Sequence, residues 1–163
     1  MKTILAPIDF SDATHPVLET ASELARALNA KIVLVHVVRP PMMVNEYSPV
    51  VERLAVDTEN TAQETLARHQ GQLEMDGFAT ETSLLYGNPA ICIRDDAARV
   101  AADFIVVGSH GHGALYDLVV GSTASDLLKK APCPVVIVPI KGLKAAVAGT
   151  GAHPGAGREA PRP

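Results

Sequence analysis

The sequence predicts an α/β domain: a single doubly wound parallel sheet of five strands with helices on both faces. Three observations carry this. Five short runs rich in apolar or β-branched residues (3–8, 31–38, 78–85, 102–107 and 135–140) alternate with stretches of helical periodicity. Most of the runs are apolar almost throughout, as strands covered on both faces are. The 163 residues make one domain long enough to bury a proper core.

Each element has its own reason. TILAPI (3–8) is a buried first strand that ends at Asp9, and a helix follows to about Leu28 with Val17, Ala21, Leu24 and Leu28 at helical spacing. Its start is open between Ser11 and Thr14 as the cap, because Pro16 restricts His15. KIVLVHVV (31–38) is the second strand, closed by Arg39-Pro40-Pro41. The loop to Pro49 carries Met42, Met43 and Tyr47, which either cover a ligand or pack on the next helix. A long helix spans 50–75, with Val50, Leu54, Thr61, Thr65, Leu66, His69 and Leu73 on one face and Glu64 and Arg68 as an exposed pair. His69 reads as a packing or surface residue, and Gly77 stops the helix.

The alternation over 78–85 is a weaker strand signal that suits an edge. Asn88 then caps a helix over 90–101 with Pro89 in its first turn, and Arg94, Asp95 and Asp96 are expected to face water. ADFIVV (102–107) is the fourth strand. The last helix covers 124–130, with Leu127 and Leu128 on its apolar side. The last strand (135–140) is flanked by Pro134 and Pro139, again as an edge. Residues 142–163 are rich in Gly, Ala and Pro without periodicity, so the chain divides into a folded unit, 1–141, and a flexible tail, 142–163. The tail's GTGAHPGAG follows no strand and opens no helix, and is given no nucleotide role.

Composition excludes several classes of function. A net charge of −4 without any Lys/Arg cluster argues against a nucleic-acid face. No apolar run is long enough to span a bilayer, and Met1-Lys2 leads directly into a strand with no export signal, so a cytoplasmic location is expected. Cys92 and Cys133 are far apart and match no metal or redox spacing; they are expected to be reduced.

The stretch that carries chemistry is GSHGHGALYDLVVGST, from Gly108 to Thr123. Gly108 ends an apolar strand, and Gly121, Ser122 and Thr123 stand at the mouth of a helix. The first amides of a helix lack internal partners and sit at the positive end of its dipole, which makes a ready anion site. A phosphate loop of the G-x-x-x-x-G-K-[ST] kind would add a lysine, but no Lys or Arg occurs between Gly108 and Leu128. Hydrogen bonds to a charged group contribute roughly 1.5–3 kcal/mol each, whereas association costs about 4–15 kcal/mol. A few amides are therefore marginal alone, and a divalent ion and a pocket for the base are expected as well.

The spacing G-x2-G-x9-G-[ST], met by Gly108, Gly111, Gly121 and Ser122, resembles the ATP-binding subclass of the universal stress protein family. The likeness runs from Ile4 to Pro139. It includes Pro7-Ile8-Asp9-Phe10-Ser11, the Gly87-Asn88-Pro89 turn, Asp103 before the fourth strand, and Pro132-Cys133-Pro134-Val135-Val136-Ile137-Val138-Pro139. The resemblance implies a Rossmann-like strand order 3-2-1-4-5, whose reversal between strands 1 and 4 is where such sheets take ligands.

Pro7 and Asp9 would then face Gly108 across one crevice. Asp9 reads as a buried strand-end residue that either caps the next helix or meets the nucleotide. The backbone of His36, Val37 and Val38 would meet the adenine edge. Gly111 and Gly121 would line the phosphates, with Ser122 and Thr123 donating to them. His110 and His112 are open between phosphate contact and exposure, and Asp117 reads as solvated; no metal ligand is assigned. The resemblance also implies ATP with Mg2+, a homodimer through 135–140, and a stress-response regulator acting through nucleotide-dependent dimer or partner contacts. Two alternatives stand beside it: a slow ATPase or adenylyl- or phosphoryl-transfer enzyme, and a nucleotide-free dimerisation module.

Overall fold

A computed structural model describes residues 1–39, 49–109 and 120–140, with side chains of 49–57 excepted. The elements are β1 (Lys2–Pro7), α1 (Thr14–Leu28), β2 (Ala30–Val38), α2 (Pro49–Met75), β3 (Thr80–Tyr86), α3 (Pro89–Arg99), β4 (Phe104–Gly108), α4 (Ser122–Lys130) and β5 (Val135–Val138). All neighbouring strands are parallel and the order is β3-β2-β1-β4-β5, as expected. The weakly alternating strand β3 is one edge and β5 the other.

Period-two alternation divides the core into two layers. Ile4, Ala6, Ile8, Ile32, Leu34 and Val106 point to the side covered by α1 and α2, where Val17, Ala21, Leu66 and Leu73 meet them. Leu5, Val33, Val35, Ile105 and Val107 point to the side covered by α3 and α4, against Ile93, Ala97, Ala124 and Leu127. Ile4, Leu5, Ile32, Leu34 and Ile105 are fully buried, each worth about 1.5–3 kcal/mol of transfer free energy.

Local signals end α2 and start α3 where expected. Gly77 adopts φ +90, which lets its N–H reach the Glu74 carbonyl while the Phe78 N–H reaches Leu73. That closure uses Phe78, so β3 starts two residues later than the alternation suggests. At α3 the Asn88 side chain accepts from the Ala90 and Ile91 amides, with Pro89 in the first turn. Asn88→Ala is expected to cost about 1 kcal/mol, read as a lower urea midpoint with an unchanged slope.

At α1, by contrast, neither Ser11 nor Thr14 is the cap. Ala13 holds that position without a side-chain bond, and the Ser11 hydroxyl serves the Ala13 amide instead.

Asp96, expected to face water, faces the interior. It is 4% exposed, and its Oδ1 accepts from Arg99 Nε at 2.7 Å and Nη2 at 2.6 Å; Arg99 also donates to Ser83 Oγ on β3. Ile93, Asp96 and Ala97 share the inward stripe of α3, and an arginine one turn on makes the charge tolerable there. Arg94 and Asp95 pair at the surface, as the sequence predicts.

At the N-terminal end of the sheet Asp103 ties β4 to β1. Its carboxylate accepts from the Thr3 amide and from Lys2 Nζ, and these two partners hold it below the usual carboxylate range. Cys92 and Cys133 are both free thiols, and burial pushes both up from the ordinary thiol range. Among the described residues no helix is long and apolar enough to cross a membrane.

Candidate functional site

The sheet opens at its C-terminal end, between β1 and β4. β1 stays paired with β2 through Pro7↔Val35, and β4 with β5 through Gly108↔Val138, but β1 and β4 are paired only at Ile4↔Phe104 and Leu5↔Ile105. Pro7 accounts for the break. In a parallel ladder alternate residues turn their N–H and C=O to the same neighbour. Ile8 donates to Val35 on β2, so Leu5 and Pro7 are the residues that face β4. Proline has no N–H to continue the ladder. The same alternation turns the backbone groups of Gly108 toward the gap, since Ile105 and Ser109 donate to Pro134 and Val138 on the β5 side.

Four chain segments border this gap. From β1 comes Asp9, which is exposed and not buried as expected. Its Oδ1 accepts from the Ser11 amide at 3.1 Å and the Ser11 hydroxyl at 2.5 Å. Behind it Phe10 adopts φ +61 and stacks on His36, with ring centroids 4.0 Å apart. From β2 come His36, Val37 and Val38, three residues beyond the last residue of β1 that is paired. The Val38 carbonyl is taken by the Gly87 amide, so Val38 and His36 turn their backbones to β3. Val37 turns its N–H and C=O the other way, past the end of β1.

The remaining two segments belong together. Ser109, just after β4, receives the Gly121 amide on its carbonyl at 2.6 Å, donates its own amide to Val138, and receives the Ile140 amide on its hydroxyl. This pins the start of α4 beside the end of β4. Gly121 caps α4 with φ −58 and ψ 157, a conformation open to any residue, so its glycine is not demanded by the backbone. Because Gly121 spends its amide on Ser109, the open donors are the amides of Ser122, Thr123 and Ala124, together with the Ser122 and Thr123 hydroxyls, which make no hydrogen bond to a described residue. Ala124 escaped the sequence reading because its contribution is a main-chain amide and its methyl is buried.

Of the sequence-predicted site residues, Pro7, Asp9, Val37, Gly108, Gly121, Ser122 and Thr123 border one gap. His36 stands behind it, and Val38 is committed to β3. His110 and Gly111 lie outside the described residues, as do His112, Asp117, Met42, Met43, Tyr47 and the tail. Among the described residues no three His, Cys, Asp or Glu side chains are grouped as a ready metal site.

A separate groove of about 810 Å3 runs between α1 and α2, floored by Phe10, Leu18, Leu73 and Phe78. Its walls mix Glu19, Glu23 and Asp76 with Arg26, Arg68 and His69. There, burial and the neighbouring Arg68 hold His69 below the ordinary histidine range.

Comparison with known proteins agrees with this architecture. The model of the universal stress protein family matches residues 1–139. A universal stress protein of Thermus aquaticus, encoded 3′ of a QAH/OAS sulfhydrylase gene, is 33% identical over 141 residues, covering 84% of this chain and 98% of that protein. The universal stress protein UspA from Lactobacillus plantarum superposes with a TM-score of 0.76 at 27% identity, over 84% of this chain and 97% of that one. The universal stress protein from Archaeoglobus fulgidus solved in complex with dAMP gives 0.60 at 26% identity, over 85% and 97%. With the fold, the strand order and a match over residues 1–139 in agreement, this chain belongs to the universal stress protein family.

Proposed function

We propose that the chain is a cytoplasmic stress-response regulator that binds ATP with Mg2+ in the gap between β1 and β4. The single observation that supports this reading most is the pairing of two open donor sets across that gap. On one side stand three amides and two hydroxyls at the start of α4 that have no partner among the described residues, a site for phosphate oxygens. On the other stands the N–H and C=O pair of Val37, which complements the N1 acceptor and N6 amino donor of adenine, with Asp9 nearby for the sugar. The relative from Archaeoglobus fulgidus solved with dAMP lends the same direction of support. His110 and Gly111 belong to the phosphate side of this proposal by their place in the G-x2-G-x9-G-[ST] spacing.

Oxygen donors suit Mg2+, which keeps several waters and takes one or two protein oxygens beside the phosphates. Asp9, Ser122 and Thr123 are residues of that kind. The ion would offset phosphate charge that the loop, without Lys or Arg between Gly108 and Leu128, does not meet. The same lack of cationic side chains makes a regulatory role a better reading than catalysis, because phosphoryl transfer depends on stabilising charge as it develops. The outer edge of β5, unpaired among the described residues, is our candidate for the homodimer contact.

With three tyrosines and no tryptophan the protein absorbs weakly near 280 nm, so a bound adenine nucleotide dominates its ultraviolet spectrum. The expected result is a peak near 260 nm in the purified protein that leaves on denaturation and is identified as adenine nucleotide. Incubating the nucleotide with protein and Mg2+ then separates a binder from an enzyme. A clean protein that also fails to take up added Mg-ATP would overturn the reading.

A further inference from the structure

The β1–β2 ladder stops one rung short of where its strands allow. Ile8 donates to the Val35 carbonyl at 2.8 Å, and the next rung would run from the Val37 amide to the Ile8 carbonyl. In its place the Ile8 carbonyl lies 2.9 Å from Nδ1 of His36. A carbonyl only accepts, so this contact requires a proton on Nδ1.

The same ring has a second task. It stacks on Phe10 with an interplanar angle of 17°, and His69 of α2 lies parallel beyond, its centroid 6.5 Å from Phe10. Phe10 needs such support, since a bulky residue at φ +61 is held there only by its surroundings. Asp9 therefore sits between two residues that one imidazole restrains: Ile8 through its carbonyl and Phe10 through its ring.

We propose that His36 is a positioning residue for the base end of the nucleotide site. Its side chain takes the place of a ladder rung, which leaves both backbone groups of Val37 open to a base edge and sets the direction of Asp9. This rests on the adenine-nucleotide reading above. The side chain was not singled out by the sequence, which pointed only to the backbone of residues 36–38.

The test compares wild type, His36→Phe and His36→Asn. The first variant keeps a ring on Phe10 and loses the donor. The second keeps a donor at the place of Nδ1 and loses the ring. Calorimetry with Mg-ATP, Mg-GTP and tripolyphosphate reads the two ends of the site separately.

His36→Phe is expected to weaken Mg-ATP by about tenfold, the scale of one hydrogen bond, to narrow the preference for ATP over GTP, and to leave tripolyphosphate unchanged. His36→Asn is expected to restore most of the ATP preference. Nitrogen-15 NMR of the nucleotide-free wild type is expected to show the Nδ1–H tautomer, which needs no variant to fold. An Nε2–H tautomer overturns the proposal. So does a His36→Phe protein with unchanged ATP preference, or one that loses tripolyphosphate equally. A wild type that binds no Mg-ATP overturns the nucleotide reading itself, whatever the tautomer.

Discussion

Gly121→Val is expected to leave the protein folded and to weaken its hold on Mg-ATP by about 10- to 100-fold. The backbone at this position tolerates the change, because φ −58 and ψ 157 suit any residue and the two main-chain bonds that Gly121 makes, to Ser109 and from Ser125, need no glycine. Some loss of helix capping follows, of about 0.5–1 kcal/mol. The branched side chain stands beside the open amides of Ser122 and Thr123, where it holds a phosphate away from donors worth roughly 1.5–3 kcal/mol each. Calorimetry with Mg-ATP, set against a circular-dichroism melt, reads the two effects apart. Unchanged affinity in a folded variant would mean that the phosphates lie elsewhere.

Leu127→Ala is expected to cost about 2–5 kcal/mol of stability, a fall of roughly 5–15 °C in Tm for a domain of this size. Leu127 is 1% exposed and, with Ala124, is one of the two buried residues of the nine-residue helix α4. It belongs to the same buried cluster as Ile105, Val107 and Ala97, in the layer between sheet and helices. The helix is too short to hold itself, so its open first turn depends on this anchor, and nucleotide affinity should fall along with stability. Leu128→Ala is the control: that side chain is 55% exposed, and a change within about 0.5 kcal/mol is expected. Equal melting of the two variants would show that α4 is not anchored through Leu127.

Much of the fold was legible because its signals are local. Asn88 and Pro89 announce a helix start through hydrogen bonds two and three residues away, and Gly77 announces a helix end through its own φ. The apolar runs predict strands with both faces covered, and the weak alternation of β3 predicts an edge; both follow from side-chain chemistry within one segment. Strand order was available only through resemblance, since nothing local distinguishes one parallel neighbour from another.

The misreadings all involve a partner distant in the chain or a turn of unusual backbone. Asp96 has two charged sequence neighbours that stay at the surface, and its burial follows from Arg99 one turn later and from Ser83 on a separate strand. Asp9 reads as a buried end of an apolar strand, yet the left-handed turn at Phe10 leaves it exposed. The bond from the Gly121 amide to the Ser109 carbonyl, twelve residues back, is likewise a contact that no local signal announces.

By itself the sequence determined which segments are strands and helices, where α3 and α2 are capped and stopped, and that a lysine-free glycine loop precedes a helix start. Tertiary structure alone decided which backbone groups are left without partners. Pro7 breaks the ladder to β4 because the alternation turns it that way, and the Ile8 carbonyl meets Nδ1 of His36 where a ladder rung would bring it the Val37 amide. The physical reason is that a hydrogen-bonding group becomes a site when its neighbours on other strands decline it, and register between strands is not written in any one of them.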